Sequence, residues 1–168
     1  SACAQQPKAS PPAKATGKAG NANITITYSQ PAVKGRVIFG DLVPYGKVWR
    51  TGANQATTIT FGEEVMIGET KVPAGKYGLL SIPDAAEWTI IISKQTDVTG
   101  PDAYKQDQDL VRIKAKPMSL PFPIETFTIS FDDVKSNGCN VGIMWENVYL
   151  AFPVSADVDS KVMKQIDN

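Results

Sequence analysis

Apolar and polar side chains alternate along most of the chain, in short runs that begin at residue 23. Alternation with a period of two residues is typical of β-strands that bury one face and expose the other. Some runs alternate in this way, and others are continuously apolar and rich in β-prone residues. Together they span residues 23–28, 57–61, 65–67, 70–72, 76–82, 88–93, 110–116, 126–131, 139–145 and 147–154. Turn-forming residues separate most of them. We therefore predict an all-β fold, either an antiparallel β-sandwich or a jelly-roll-like arrangement.

Four connections between these runs have a distinctive composition. Gly68-Glu69 and Asn137-Gly138 are typical of short hairpin turns. Residues 95–109 are polar and are predicted to form the longest loop. Residues 117–123 contain three prolines and are also predicted as a loop, because proline lacks the amide hydrogen that a sheet requires.

The two ends of the chain differ from the middle. Residues 5–22 are rich in Pro, Ala, Lys and Gly and lack large apolar side chains, so burial cannot offset the entropy lost on ordering. At the other end, Val158, Val162 and Ile166 lie four residues apart, which is typical of a helix. These patterns predict three parts: a flexible leader over residues 1–22, a β-domain over residues 23–155 and a short C-terminal helix over residues 156–168.

The composition excludes several kinds of chemistry. The 17 basic and 17 acidic side chains balance, which gives no indication of a nucleic-acid partner. Histidine is absent, so Ser-His-Asp catalysis, Cys-His catalysis and histidine-ligated metal sites are ruled out. The two cysteines, Cys3 and Cys139, are too few for a cysteine-based zinc site. We expect no metal and no other cofactor.

The first residues, Ser1-Ala-Cys-Ala-Gln-Gln6, have the composition of the end of an export signal. Ala2-Cys3-Ala4 fits the small-x-small pattern of a signal-peptide cleavage site, and Ser-Ala-Cys is similar to the end of a bacterial lipobox. In the second interpretation, Cys3 carries a lipid anchor. No run of 18 apolar residues is present, so no transmembrane helix is predicted. We expect an exported protein, either cleaved or lipid-anchored.

Residues 43–59 combine turn-forming residues with side chains that are suited to binding. Arg50 offers a planar set of donors for a carboxylate, a phosphate or a sugar oxygen. Trp49 offers a stacking surface beside it, and Asn54 offers further hydrogen bonds. These three residues are the first candidates for a ligand site.

For the same residues, we favour structural roles over a ligand site. In that interpretation Trp49 fills the core and Asn54 caps a turn through its side chain. Arg50 then forms an ion pair with Asp41 or Glu146. Buried Arg and Asn side chains commonly organise loops in this way.

Three segments together resemble one known family. They are Val43-Pro-Tyr-Gly-Lys-Val-Trp-Arg-Thr-Gly-Ala-Asn54, Pro73-Ala-Gly-Lys-Tyr-Gly78 and Trp145-Glu146. Over about residues 16–155, the chain is similar to domain-of-unknown-function family 2911, small exported proteins of Gram-negative bacteria. The resemblance implies a periplasmic or outer-membrane-associated protein and no established activity. The family motif usually continues Ala-Asn-Glu, whereas Gln55 stands here, so any role of that carboxylate is lost.

The full candidate site comprises Trp49, Arg50, Asn54, Tyr77 and Glu146. The set has no nucleophile with an adjacent base, so we predict a non-catalytic, exported module that is either ligand-binding or envelope-associated, with a small molecule or a glycan as the candidate ligand. The first alternative is a carboxylate-dependent glycan hydrolase, which requires a second acid near Glu146; Asp41 and Asp84 are candidates. The second alternative is a purely structural interaction domain, which predicts an exposed apolar patch or an uncovered edge strand.

Overall fold

Ten strands form two antiparallel sheets within residues 9–156, the part of the chain that the structure, a computed structural model, describes. The strands are β1 (Pro12–Ala19), β2 (Ala22–Ser29), β3 (Thr58–Phe61), β4 (Val65–Ile67), β5 (Thr70–Val72), β6 (Gly75–Ile82), β7 (Trp88–Ser93), β8 (Asp109–Ala115), β9 (Met118–Lys135) and β10 (Gly138–Ser155). The six-stranded sheet has the order β1-β2-β3-β6-β7-β8, and the four-stranded sheet has the order β5-β4-β10-β9. The prediction of an all-β, antiparallel fold is confirmed.

Both sheets contribute to one hydrophobic core. Ile24 and Ile26 of β2 and Phe127 and Ile129 of β9 belong to the same cluster of buried side chains. The threonines that alternate with the two isoleucines of β2 are half-buried or exposed. The period of two in the sequence therefore corresponds to an inner and an outer face of the sheet.

Both predicted hairpin turns are confirmed. β4 and β5 pair on either side of Gly68-Glu69, with Ile67 opposite Thr70. Gly68 has a φ of 60°, a backbone conformation that glycine adopts without the steric penalty of a side chain. β9 and β10 pair on the two sides of the turn that contains Asn137, with Lys135 opposite Gly138.

Order begins earlier in the chain than predicted, because β1 lies within the expected flexible leader. β1 pairs with β2 along its whole length, from Pro12 opposite Ser29 to Ala19 opposite Ala22. Its inward side chains are small, and a Cβ on Gly17 would lie 2.5 Å from the ring of Phe131. Backbone hydrogen bonds and this close approach stabilise a strand that has no large apolar residue. The prediction of a flexible leader is wrong for these residues.

The predicted proline loop over residues 117–123 is also wrong, because β9 begins at Met118. β9 is an edge strand of its sheet, where proline removes no required hydrogen bond. In addition, the register shifts between the pairs Ile124–Glu146 and Ser119–Val148. Residues 120–123 therefore bulge away from regular pairing and accommodate two of the prolines.

β10 is one strand, although the sequence pattern predicts two runs that end and begin around residue 146. The register of β10 against β9 shifts on both sides of Glu146, which has a φ of 55°. The irregularity reverses which side chains face the core. Before it, odd-numbered residues such as Trp145 are buried, and after it, even-numbered residues such as Leu150 are buried. A bulge within one long strand explains the two separate runs in the sequence.

Residues 94–108 cover the outer face of the six-stranded sheet. Leu80 of β6 and Ile91 of β7 form a second buried cluster with Ala56 and Val98. The covering segment is hydrogen-bonded to itself, from the amide of Lys94 to the carbonyl oxygen of Gln108, at 2.9 Å. β7 is therefore buried on both faces, which explains its continuous apolar sequence.

Helical structure within residues 9–156 consists of two single 3-10 turns, Pro101–Ala103 and Gln106–Gln108. No helix in this part of the chain is long and apolar enough to cross a membrane. The predicted C-terminal helix lies outside the described residues except for Ala156. The same is true of Cys3, so its predicted lipidation stays a prediction.

Cys139 is predicted to be chemically protected in the folded protein. It is 4% exposed, and burial, followed by the nearby charge of Asp132, raises the pKa of its thiol. Only the thiolate reacts rapidly with disulfide reagents. In a Cys3→Ser variant, we expect no labelling by dithionitrobenzoate at mildly alkaline pH until urea unfolds the chain. Rapid release of thionitrobenzoate from the native variant would contradict this burial.

Candidate functional site

Residues 46–57 run along the end of β6 and are bonded to it. The amide of Trp49 donates to the carbonyl oxygen of Ser81 at 2.7 Å, and the amide of Ser81 donates back at 3.1 Å. The amide of Leu79 donates to the carbonyl oxygen of Thr57 at 2.9 Å. This segment is therefore attached at both of its ends to a central strand of the larger sheet.

Between these attachments the backbone forms a strained turn, residues 50–54. Thr51, Gly52 and Asn54 all have positive φ, at 56°, 149° and 61°. Positive φ is rare for a β-branched residue such as threonine, and it costs about 1–3 kcal/mol where it occurs. Strain of this kind persists only where the surroundings hold it in place.

Hydrogen bonds hold the strained turn from several sides. The Thr51 hydroxyl lies 2.8 Å from the Ser81 hydroxyl, and Thr51 is fully buried. The Thr57 hydroxyl donates to the carbonyl oxygen of Thr51 at 2.5 Å. The indole Nε1 of Trp49 donates to the carbonyl oxygen of Gly52 at 3.1 Å. The turn is thus held in place by hydrogen bonds within the chain.

Trp49 belongs to a cluster of aromatic rings between the sheets. Its ring stacks on Trp145, with centroids 6.2 Å apart and planes at 11°. Its edge contacts with Phe127, Trp88 and Phe39 have centroid distances of 5.2, 6.1 and 5.9 Å. Trp49 is only half-buried, so it both packs the core and presents part of its ring outside it.

A cleft of about 460 Å³ opens where Trp49 reaches the surface. Its walls come from separate parts of the chain: Ser10, residues within 31–36, 42–53 and 99–101, and Trp145. The lining includes Trp49 and Arg50, two residues of the predicted ligand site. Of the five predicted site residues, these two are the ones that the cleft brings together.

The charged side chains that line the cleft are all cations. They are Arg36, Lys47 and Arg50, and no described acidic residue lines it. Arg50 donates from Nη1 to the carbonyl oxygen of Thr99 at 2.8 Å. The structural interpretation predicts an ion pair of Arg50 with Asp41 or Glu146, but within residues 9–156 Arg50 forms none.

The sequence did not predict Arg36 and Lys47 as residues of this site. The signal available for Arg36 was that Arg36 and Arg50 are two of only three arginines in the chain.

Asn54 lies beside the cleft and not in its wall. It is exposed, and its Nδ2 donates to the carbonyl oxygen of Ser10 at 3.3 Å. This bond joins the strained turn to the residues that precede β1. Gln55 is also exposed and faces a separate groove that contains Lys76 and Asp97. A glutamate at position 55 would therefore add its charge outside the cleft.

Tyr77 has a structural role. It is 9% exposed, its hydroxyl donates to the carbonyl oxygen of Pro73 at 2.7 Å, and its ring lies 6.1 Å from that of Phe61. Burial raises the pKa of the Tyr77 phenol. This residue does not line the cleft, so its inclusion in the site is not supported by the geometry.

Glu146 lies at the bulge of β10 and does not line the cleft either. Its Oε2 is buried and has no hydrogen-bond partner within residues 9–156. No hydrogen bond within this part of the chain links it to a second acid, and Asp41 and Asp84 are exposed and absent from the cleft wall. The described wall of the cleft therefore supplies no pair of acids for the hydrolase alternative.

Exposed apolar residues and an edge strand bear on the interaction-domain alternative. The exposed large apolar side chains are Val37, Leu42, Tyr45, Met118, Phe122 and Val134. The edge of β9 is covered near its middle, because the amide of Val33 donates to the carbonyl oxygen of Glu125 and the amide of Phe127 to that of Pro31. This strand edge is therefore partly paired and not fully open.

Comparison with protein families identifies the chain. The sequence model of the family described as "Protein of unknown function (DUF2911)" matches residues 10–154, which include the strained turn, the cleft and all ten strands but for Ser155. Searches of curated proteins and of solved structures found no significant match. Within residues 9–156, no three acidic, cysteine or histidine side chains converge as metal ligands would. Because the family model matches most of the chain, the chain belongs to the DUF2911 family.

Proposed function

We propose that the protein is a non-catalytic binding module that holds a small molecule or a glycan in the cleft beside Trp49 and Arg50. The observation that carries this proposal is the strained turn, residues 50–54, which fixes both side chains at the wall of an open cleft. Export to the cell envelope, with Cys3 as a candidate lipid anchor, belongs to the same proposal.

The rigidity of the turn supports a binding role. A residue with positive φ is retained at a cost in stability, and such residues are concentrated at ligand sites. A wall that is fixed in advance loses little conformational entropy when a ligand binds, which favours affinity. The cleft volume of about 460 Å³ also lies within the range of roughly 300–1,000 Å³ that is common for small-molecule sites.

The chemistry of the lining supports binding over catalysis. Among the described residues, the lining supplies no carboxylate, and the chain contains no histidine. Ser10 and Thr99 offer hydroxyl groups there, and no described carboxylate of the lining could activate them.

The proposal is tested by filling the cleft. Ala53 lines the cleft, so Ala53→Trp places a large side chain in the ligand volume. Ala86→Trp is the control, because Ala86 is exposed on the loop before β7 and away from the cleft. A library of metabolites and oligosaccharides is screened by ligand-observed NMR, and binders are mapped on the amide spectrum of the protein.

We expect binders of the parent protein to shift the amide signals of residues 49–53 and 99–101. The same binders are lost in Ala53→Trp and kept in Ala86→Trp, and thermal unfolding verifies that both variants are folded. The proposal is overturned if the parent protein has no binder, or if its binders are retained by a folded Ala53→Trp variant.

A further inference from the structure

We infer that the ligand of this cleft is an organic anion, whose carboxylate, phosphate or sulfate group binds among Arg36, Lys47 and Arg50 and whose apolar part packs against Trp49. This inference rests on the proposed function and gives its ligand a chemical class. Three features carry it: the sign of the lining charges, the absence of counter-ions for them within residues 9–156, and the apolar surface next to the charges.

The charge of the side chains that line the cleft differs from the charge balance of the whole chain. The sequence has 17 acidic side chains against 17 basic ones, and residues 41–168 have 12 basic against 17 acidic. A cleft in such a chain would be expected to include acids, yet the described lining has three cations and no acid. Grouped like charges in a cleft raise the local concentration of ligands of opposite sign.

The three cations are not neutralised within the described part of the chain. The ion pairs there involve Arg112 with Asp109 and Lys135 with Asp133. Arg36 donates from Nε and Nη2 to the carbonyl oxygens of Val33 and Ala32, at 3.0 and 2.6 Å. Carbonyl oxygens are neutral, so these bonds position the guanidinium group and leave its charge available.

Arg50 is held in the same way. Its bond to the carbonyl oxygen of Thr99 uses one of its five N–H donors, and no acid is paired with it within residues 9–156. The remaining donors lie in the planar arrangement that binds carboxylate or phosphate oxygens in pairs. A guanidinium fixed to the backbone and lacking a counter-ion is suited to an anionic ligand.

An apolar surface adjoins the charged one. The half-buried ring of Trp49 lines the cleft and is stacked on Trp145, and Val48 and Pro44 line the same cleft. A fully hydrated inorganic ion would leave this surface exposed to water. A ligand with both an anionic group and an apolar body would contact the two surfaces together.

The test compares acids with neutral molecules of the same shape. The probes are a panel of aromatic and aliphatic carboxylates and phosphate monoesters, each paired with its amide or its parent alcohol, and 2-naphthoate with 2-naphthamide is the first pair. Affinities are measured by calorimetry at several salt concentrations. We expect acids to bind about tenfold or more tightly than their neutral partners, because a charge-assisted hydrogen bond contributes at least this factor. Their affinity should fall as salt rises.

Charge-removing variants locate the effect. Lys47 is exposed and makes no hydrogen bond within residues 9–156, so Lys47→Gln should fold normally. Lys47→Gln and Arg36→Gln should each weaken the binding of acids several-fold and leave the affinity for their neutral partners unchanged. Lys71→Gln, at an exposed position on β5, is the control and should change neither.

The outcomes separate this inference from the proposed function. If neutral molecules bind in the cleft as tightly as acids, or if Lys47→Gln and Arg36→Gln leave acid binding unchanged, the anionic class is wrong and the binding module stands. If neither acids nor neutral molecules bind, and the library screen with the parent protein also finds no binder, the proposed function is overturned together with the inference.

Discussion

Replacing Trp49 by alanine is expected to lower the free energy of unfolding by about 3–5 kcal/mol, the range measured for large aromatic residues in protein cores. Trp49 contacts the ring of Phe39 from a loop, that of Trp88 from the larger sheet, and those of Phe127 and Trp145 from the smaller sheet. Its removal therefore leaves a cavity between the sheets. The indole Nε1 also holds the carbonyl oxygen of Gly52, and the loss of this bond releases the strained turn. We therefore expect the Trp49→Ala variant to lose stability and ligand binding at the same time.

Two further variants separate packing from hydrogen bonding at position 49. Trp49→Phe keeps a ring but removes the Nε1 donor, so we expect a smaller loss of stability and a clear loss of ligand affinity. Tyr45→Ala is the control, because Tyr45 is 43% exposed and should cost little. Urea denaturation measures the three free energies. A Trp49→Ala protein as stable as Tyr45→Ala would show that Trp49 does not join the two sheets.

Replacing Gly78 by alanine is expected to cost about 3 kcal/mol, at the upper end of the range for overpacking. A Cβ on Gly78 would overlap the carbonyl oxygen of Gln95, which is a backbone atom and cannot rotate away. The segment of residues 94–108 would have to move off the sheet. Its departure would expose Leu80 and Ile91 and displace Thr99, the residue that anchors Arg50.

Gly62→Ala is the matched control for this prediction. The nearest atoms to a Cβ at Gly62 lie 3.6 Å away, an ordinary van der Waals distance. Hydrogen exchange followed by mass spectrometry should report faster exchange over residues 94–108 in Gly78→Ala, with the β9–β10 hairpin protected as in the parent. Unchanged exchange and unchanged urea denaturation would refute the close approach of the segment to β6.

Strands with large apolar side chains could be predicted from the sequence, and those with small ones could not. The alternation of Ile24 and Ile26 identifies β2, whereas the alanines and Gly17 of β1 carry no hydrophobic signal. β1 is stabilised by pairing with β2 and by contact with the ring of Phe131, and both depend on tertiary structure. The prolines of β9 were misread for a related reason, because the sequence does not reveal which strand forms the edge of a sheet.

The candidate site could be predicted where one segment supplies it. Trp49 and Arg50 are adjacent in the sequence and share the cleft, whereas Tyr77 and Glu146 are drawn from strands that turn these side chains elsewhere. Arg36 and Thr99 reach the cleft from loops distant in the chain. Their convergence depends on how the two sheets pack, which the alternation of side chains does not specify.

The stacking of Trp49 on Trp145 has a consequence for the order of folding. β9 and β10 are joined by a short turn, so their pairing closes only a small loop and costs little entropy. By contrast, the contact between Trp49 and Trp145 joins residues that are distant in the chain, and the cleft is incomplete until it forms. If the cleft binds a ligand as proposed, partly folded chains that contain the hairpin alone would not bind it. Such a ligand would bind the finished fold selectively and, by mass action, would protect the protein against unfolding.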